Sequence, residues 1–328
     1  MKTRKVLLLS FTFAAALGLV GSPKAQVYPS RPITVVVPFA AGGPTDTVAR
    51  LIAEPMRASL GQPVIIENVT GAAGSIGTGR VARAAPDGHT LVVGFWGTHV
   101  LNGVLYPLQY DVLKDFEPIS LLATNPQLIV AKNAMPAKDL NELISWLKAN
   151  PGKASQATAG AGSPAHVGGA FFQSMTGTRF QFVPYSRGAA PAMQDLIAGQ
   201  VDLMFDQTSH SLPHVRAGKI KAYAVTANAR LPSAPDIPTA DEAGLPGFYV
   251  SVWAGMWAPR GTPAGVIAKL NGGVMRALAD QKVRERFADL GQEVPAPALQ
   301  TSEGFGAFHR AEIDKWWPII KAANIKGE

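Results

Sequence analysis

The feature that most constrains the fold is a strand that runs through a glycine- and proline-containing turn directly into a helix, and this unit occurs twice. Ile33–Val37 is a β-branched run of strand length, and the turn over residues 38–46 leads into apolar residues at helical spacing over 47–60. Residues 154–166 repeat the strand and the turn, and a helical pattern follows over 165–175. This rhythm predicts an α/β fold with a largely parallel sheet and helices on both faces.

Strands and helices alternate along the rest of the chain. The predicted strands lie at residues 64–66, 90–93, 121–123, 128–130, 180–183, 201–205, 222–226 and 250–256. The predicted helices lie at residues 75–85, 140–149, 190–198, 263–279, 283–290 and 305–322. Because the last three helices have no new strands of their own to cover, we infer that the chain returns to its first unit.

This return predicts two lobes that are joined by two crossings, near Asn125 and near Gly247. The first lobe comprises residues 26–125 and 248–328, and the second lobe comprises residues 126–247. Paired crossings suit a hinge around a cleft better than a single flexible linker does.

Residues 1–25 have the pattern of a secretory signal peptide. Lys2, Arg4 and Lys5 precede an apolar run over residues 6–20, and a small residue, Ala25, marks the expected cleavage site. The run is shorter than the roughly 20 apolar residues that a membrane-spanning helix needs. We therefore expect an exported protein that begins near Gln26.

The charge and the cysteine count exclude several function classes. The chain has 30 basic and 23 acidic residues, and four of the basic residues lie in the first 25, which leaves 26 against 23. So small an excess, without a run of Lys or Arg, argues against a nucleic-acid partner. The absence of cysteine excludes disulfides, thiolate nucleophiles and Cys-based zinc sites.

The two strand-to-helix turns, and a third over residues 68–75, are candidate anion sites. Free N–H groups and the helix dipole at a helix N-terminus attract an anion, and the carboxyl ends of several strands face one cleft. A carboxylate is the leading ligand, because no phosphate-binding G-x-x-x-x-G-K-[ST] motif occurs. Residues 77–82 fit G-x-G-x-x-A but lie inside a predicted helix. Each turn alone is also explained as a tight βα connection.

The chain resembles the Bug family of periplasmic solute-binding receptors, the extracytoplasmic components of tripartite tricarboxylate transporters. The resemblance covers the whole chain after the signal peptide. It is carried by Tyr28-Pro-Ser-Arg-Pro32, Val37-Pro-Phe-Ala-Ala-Gly-Gly43, Asp46, Glu67-Asn68, Gly71-Ala72, Pro86-Asp-Gly88, Gly160, His166, Val183-Pro-Tyr185, Gly199-Gln-Val-Asp202 and Ala258-Pro-Arg-Gly-Thr-Pro263. It implies a two-lobed type II periplasmic binding protein (venus flytrap), a small organic acid held between the lobes, membrane permease subunits as partners, no cofactor and no catalysis.

The resemblance also implies a set of ligand-binding residues. These are Phe39, Ala40, Gly43, Thr45, Asp46, Ala72, Gly74, Ser75, Ser163, His166, Tyr185 and Asp206. Two further candidates lie where the chain departs from the family pattern. Ser186 separates Tyr185 from Arg187, and Trp96 occupies a position after the third strand where smaller residues are common.

Several candidates have a structural interpretation beside the functional one. Asp46 is the more readily explained as a carboxylate that bonds N–H groups of its own loop. His166 either contacts the ligand or is a first-turn helix residue, and Trp96 either lines the pocket or packs in the core. If Trp96 lines the pocket, it favours an acid with an apolar or aromatic body, and Arg187 would pair with a second carboxylate.

Alternative functions have weaker support. His210 and His214 have metal-ligand spacing, but we expect Pro213 to break the helix that this spacing requires, and we predict no metal site. A hydrolase would use Ser163, His166 and Asp206, yet no G-x-S-x-G motif is present. A ligand-sensing subunit of a membrane signalling protein would share the binding chemistry.

Overall fold

The computed structural model describes residues 28–160, 162–185 and 189–327, which form a three-layered α/β structure around one mixed sheet. Its strands are β1 (Ile33–Val37), β2 (Val64–Asn68), β3 (Thr90–Phe95), β4 (Phe116–Lys132), β5 (Ser155–Thr158), β6 (Gln181–Pro184), β7 (Leu203–Gln207), β8 (Ile220–Val225) and β9 (Ser251–Pro259). The predicted signal peptide over residues 1–25, and the candidate Arg187, lie outside the described residues.

Helices cover both faces of the sheet. They are α1 (Pro44–Leu60), α2 (Ser75–Ala82), α3 (Asn102–Leu105), α4 (Leu140–Ala149), α5 (Pro164–Thr176), α6 (Ala189–Ile197), α7 (Thr208–Arg216), α8 (Ala264–Ala279), α9 (Gln281–Asp289), α10 (Pro297–Gln300) and α11 (Ser302–Ala322). A 3₁₀ turn over Ala72–Gly74 precedes α2, and a π-helical turn over Gly97–Leu101 precedes α3. None of the helices among the described residues is long and apolar enough to cross a membrane.

Strand β4 joins the two halves of the sheet. The strand order is β2-β1-β3-β9-β4-β7-β5-β6, and β8 also pairs with β4. Over residues 116–126, β4 runs antiparallel to β9, and over residues 127–132 it runs antiparallel to β7 and β8. The chain therefore passes from one half to the other within β4, and it returns just before β9.

The core lies between the sheet and the flanking helices. Val48, Ile52 and Met56 recur at helical spacing on the buried face of α1, in an apolar cluster that also includes Leu270 and Val274 of α8. A second cluster lies in the other half, around Met193, Leu196 and Met204. A third, rich in aromatic residues, contains members from both halves, so the two halves share apolar packing as well as backbone hydrogen bonds.

The structure departs from the sequence-based expectation at the centre of the sheet. We predicted two short strands at 121–123 and 128–130 in a largely parallel sheet, but β4 is one strand of 17 residues whose pairings are all antiparallel. Pro118 and Pro126 interrupt the apolar pattern without ending the strand. The ladder accommodates Pro118 through a register shift between Pro118 and Ser120.

Candidate functional site

A cavity of about 600 Å³ opens beside the carboxyl end of β1. We call residues 39–46, which connect β1 to α1, the first loop. The cavity is lined by the first loop, by β4 and β9 where they pair, and by residues from both halves of the sheet: Phe39, Ala40, Ala41, Gly42, Gly43, Pro44, Thr45, Val48, Phe95, Asn125, Gln207, Val252, Trp253, Ala254 and Gln292. Four of the predicted ligand-binding residues, Phe39, Ala40, Gly43 and Thr45, therefore lie together.

The carboxylate of Asp46 fixes the conformation of the first loop through hydrogen bonds. Its Oδ2 atom accepts hydrogen bonds from Gly42 N–H and Arg50 Nε, both at 2.8 Å. Its Oδ1 atom accepts one from Asn68 Nδ2 at 2.9 Å, and the same amide nitrogen donates to Phe39 O at 2.9 Å. Asp46 is 1% exposed and is absent from the cavity lining, so it positions the loop, as the capping interpretation predicted.

These contacts also set the protonation state of Asp46. Burial by itself would raise the pKa of the carboxyl group. The hydrogen bonds from Arg50, Gly42 N–H and Asn68, together with the Arg50 charge, outweigh burial and lower the pKa below its ordinary value. Asp46 is therefore ionised at neutral pH. Both of its carboxylate oxygens already accept hydrogen bonds from Gly42, Arg50 and Asn68.

Helix α1 begins beside the cavity with free backbone donors in its first turn. Its N-cap residue, Gly43, is extended and has no side chain to cap the helix. Pro44 has no N–H group, and Thr47 N–H bonds Gly43 O at 2.9 Å. The N–H groups of Thr45 and Asp46 consequently lack acceptors within the described chain, at the positive end of a 17-residue helix.

The turn over residues 71–75, the second loop, lies against the first. A Cβ atom on Gly74 would lie 2.7 Å from Thr98 Cγ2 and 3.0 Å from Phe39 Cζ, so only glycine permits this approach. Ala72 and Ala73 adopt positive φ angles of 46° and 51°, a strained conformation, and Asn102 Nδ2 bonds Ala73 O at 2.9 Å. Ala72 and Ser75 line a neighbouring cavity of about 480 Å³. The second loop therefore packs against Phe39 of the first loop but does not line the same cavity.

The candidates in the second half of the sheet form local contacts instead of lining this cavity. Ser163 caps α5 through a long hydrogen bond of 3.4 Å from His166 N–H. His166 Nδ1 accepts from Gly162 N–H at 3.1 Å, its ring lies 4.4 Å from that of Phe182, and burial lowers its pKa, so the imidazole is neutral. His166 lines a separate cavity between α5 and the end of α11.

Tyr185 and Asp206 are likewise engaged by neighbours. The Tyr185 hydroxyl donates to Asp195 Oδ2 at 2.6 Å, and burial and that carboxylate raise the pKa of Tyr185 to about 12. Asp206 Oδ2 contacts His210 Nδ1 and accepts from Ser211 Oγ, both at 2.6 Å. Ser163 Oγ bonds the backbone N–H of His166 and not its imidazole, and Asp206 pairs with His210 and Ser211, so these side chains do not form a hydrolase triad.

The expectation that Trp96 lines the pocket is wrong. Trp96 is fully buried, and its ring packs edge-on against Trp316 of α11 at 4.9 Å between centroids. Its position after β3 directs the indole into the aromatic core. Trp96 therefore gives no support for an aromatic ligand body.

The expectation that Pro213 breaks the helix is also wrong. Helix α7 runs from Thr208 to Arg216 through Pro213, and the rings of His210 and His214 lie 6.1 Å apart. His210 instead pairs with Asp206, whose hydrogen bond raises the pKa of His210 above its ordinary value. Among the described residues, no group of three or more acidic or histidine side chains could hold a metal ion.

Sequence reasoning missed several lining residues. Phe95, Asn125, Gln207 and Gln292 come from four separate segments, and no local motif groups them. The only available signal was the position of Asn125 at the first predicted crossing. In β9, Val252 and Ala254 line the cavity, while Trp253 directs its indole N–H to Glu312 Oε2 at 2.9 Å.

Comparison with known proteins identifies close relatives. The sequence profile described as "Tripartite tricarboxylate transporter family receptor" matches residues 48–325. The solved structure of MatC from Rhodopseudomonas palustris with bound malate is 46% identical, with a TM-score of 0.74, and the match covers 89% of this chain and 100% of MatC. The periplasmic binding protein BugD is 43% identical, with a TM-score of 0.74 and coverage of 92% and 100%. An R. palustris protein with adipate is 34% identical, with a TM-score of 0.77 and coverage of 91% and 99%.

The geometry of the first loop predicts that Asp46→Ala destabilises the protein in a pH-dependent way. We expect the free energy of unfolding to fall by about 2 kcal/mol at neutral pH, since several hydrogen bonds to a charged group are lost. Because the pKa of Asp46 is lowered in the folded protein, this stabilisation is present above the unfolded pKa of about 4 and disappears as the pH falls through the folded value. Urea unfolding at several pH values measures it.

Glu54→Ala is the matched control, because Glu54 lies on the same helix and pairs only with exposed Arg57. It should leave stability nearly unchanged. An equal loss in both variants, or a loss in Asp46→Ala that persists at acid pH, would contradict the role assigned to Asp46.

Proposed function

The chain belongs to the tripartite tricarboxylate transporter receptor family, and from that premise we propose that it captures a small organic carboxylate in the cavity beside the first loop. It is a solute-binding receptor, not an enzyme, and it has the α/β fold of periplasmic binding proteins. The resemblance to the Bug family that the sequence indicated is thereby confirmed. The relatives solved with malate and with adipate both hold carboxylates.

The observation that carries the proposal is the uncapped N-terminus of α1. The N–H groups of Thr45 and Asp46 lack acceptors within the described chain, and Thr45 lines a cavity whose described lining contains no charged side chain. A carboxylate would complete the first turn of α1 and interact favourably with the helix dipole. The buried Asp46 cannot do so itself, because both of its oxygens are bonded beneath the loop.

The ligand would bind between two lobes that close on it. We assign residues 26–125 and 248–328 to one lobe and 126–247 to the other, with β4 and the entry to β9 as the hinge. In support, Thr226 Oγ1 bonds the backbone of both Gln127 and Val250, which ties the two crossings together. Leu105 of the first lobe lies against Gly162 of the second, next to the N-terminus of α5, so the two lobes also meet at this point.

The membrane partner follows from the family. Receptors of tripartite tricarboxylate transporters deliver ligand to membrane permease subunits, and we propose the same partner here. Delivery requires export, for which residues 1–25 supply the signal peptide pattern.

Export predicts a processed N-terminus. Protein isolated from the periplasm of its native cells should begin near Gln26, because a signal peptidase would cut after Ala25. N-terminal sequencing checks this, and an intact Met1 on the periplasmic protein would contradict it.

A negative charge introduced beside the helix terminus tests the carboxylate site. Ala40 is exposed at the cavity, so Ala40→Asp should fold normally yet weaken acid binding at least tenfold, because the new carboxylate repels the ligand and competes for the same N–H groups. Calorimetry with malate, adipate and further acids measures this.

Two controls isolate the charge. Ala40→Asn introduces a side chain of nearly the same size as that of aspartate but without the charge. This variant should bind the acid more tightly than Ala40→Asp does. Ala58→Asp places the same charge on α1 outside this cavity and should bind as the wild type does. Equal affinities for all four proteins would place the acid elsewhere.

Hinge closure predicts a smaller molecule in the presence of a tight acid. Only closure lets contacts from both lobes reach one ligand, so small-angle scattering should give a reduced radius of gyration when the acid is saturating. Ala40→Asp at the same acid concentration should keep the larger radius. An unchanged wild-type radius at saturation would argue against closure.

A further inference from the structure

The polar side chains that line the first-loop cavity are neutral. Besides Thr45 they are three amides: Asn125 of β4, Gln207 at the end of β7, and Gln292 after α9. The described lining contains no acidic or basic residue, and the remaining surface is backbone, Phe, Val, Ala, Pro and the indole-bearing Trp253. Amides are therefore the main side-chain groups that can distinguish one ligand from another here.

Asn125 is fixed by the protein. It is 1% exposed, and its Nδ2 atom donates to Ser209 Oγ at 2.8 Å. This bond holds the first turn of α7 against β4. Asn125 therefore forms a fixed part of the cavity floor. The side chains of Gln207 and Gln292 are the amides that can reach a ligand.

Gln207 and Gln292 come to the same cavity from opposite lobes. Gln207 is the N-cap residue of α7, but its side chain makes no capping bond. Gln292 follows Gly291, where a Cβ atom would lie 2.9 Å from Ser209 Cα, so this segment packs directly on the start of α7. Both side chains are half-buried, and neither has a hydrogen-bond partner among the described residues.

We propose that Gln207 and Gln292 recognise a hydroxyl group on the body of the ligand, so that the receptor prefers a hydroxy acid over the acid that lacks the hydroxyl. The inference rests on the proposed function, since it takes the carboxylate at the N-terminus of α1 as given. It assigns specificity to two residues that no sequence motif marks.

The chemistry of the amide selects a hydroxyl over other groups. Each glutamine side chain offers a carbonyl oxygen as acceptor and an NH₂ group as donor. A hydroxyl both donates and accepts, so it can bond the oxygen of one amide and the NH₂ of the other. A carboxylate at this point could accept from the NH₂ groups but would have no cation in the described lining to offset its charge, and an ammonium would have no anion there. A plain methylene would leave both amides unpaired after closure removes water.

Paired acids that differ only by a hydroxyl provide the test. Calorimetry compares malate with succinate, lactate with propionate, and 2-hydroxyadipate with adipate, on the wild type and on Gln207→Met and Gln292→Met. In the pair that binds most tightly, the wild type should favour the hydroxy acid by about tenfold, the scale of a neutral hydrogen bond together with an unpaired partner. Either variant should reduce this preference to under threefold by weakening the hydroxy acid, with the plain acid changed less than twofold.

Gln200→Met is the matched control, because Gln200 is an exposed glutamine away from the cavity lining. It should keep the wild-type preference. If the wild type binds a plain acid as tightly as its hydroxy partner, or if both variants weaken the two acids equally, the inference is overturned while the proposed function stands. If the wild type binds none of the six acids, the proposed function fails and this inference fails with it.

Discussion

The antiparallel pairing of β4 with β9 is the constraint on which the rest of the structure depends. Over residues 116–126 the two strands form one ladder, and at Gln127 strand β4 changes partners to β7 and β8. The backbone hydrogen bonds of a strand are obligatory, so this exchange fixes where the halves of the sheet meet. It also places Asn125, Val252 and Ala254 at the floor of the cavity. The continuous ladder keeps the floor in register across both halves of the sheet.

Asp46 lies next to the proposed anion site, where its negative charge would repel a carboxylate. The contacts within the first loop reduce this repulsion. Arg50 and Asn68 pair with it from the side away from the cavity, and Gly42 N–H bends the loop over it. The carboxylate thus stabilises the loop conformation that leaves the donors of α1 free, and the nearby guanidinium offsets its charge.

The sequence predicted most elements because hydrophobic periodicity and helix-start residues are local signals. Strand β1 and helix α4 have the predicted bounds. The misses involve information that is not local. Pro213 lies inside α7 and Pro118 inside β4, and neither proline ends its element. Trp96 follows a strand near the cleft, and only the fold shows that its indole points to Trp316. For the site, the turn motif identified the first loop, but Gln207 and Gln292 come together only through tertiary packing.

A site that binds through backbone N–H groups recognises the carboxylate shared by all candidate ligands. Such donors cannot be changed by most substitutions, because every residue except proline supplies the same group. Discrimination among acids must therefore arise from the side chains around the body of the ligand. In the described lining these side chains are neutral amides set among apolar residues. A neutral polar group discriminates between ligands because binding free energy is lost when a ligand leaves that group without a hydrogen-bond partner. In this chain the amides that surround the body of a ligand, Asn125, Gln207 and Gln292, come from segments far from the first loop in sequence.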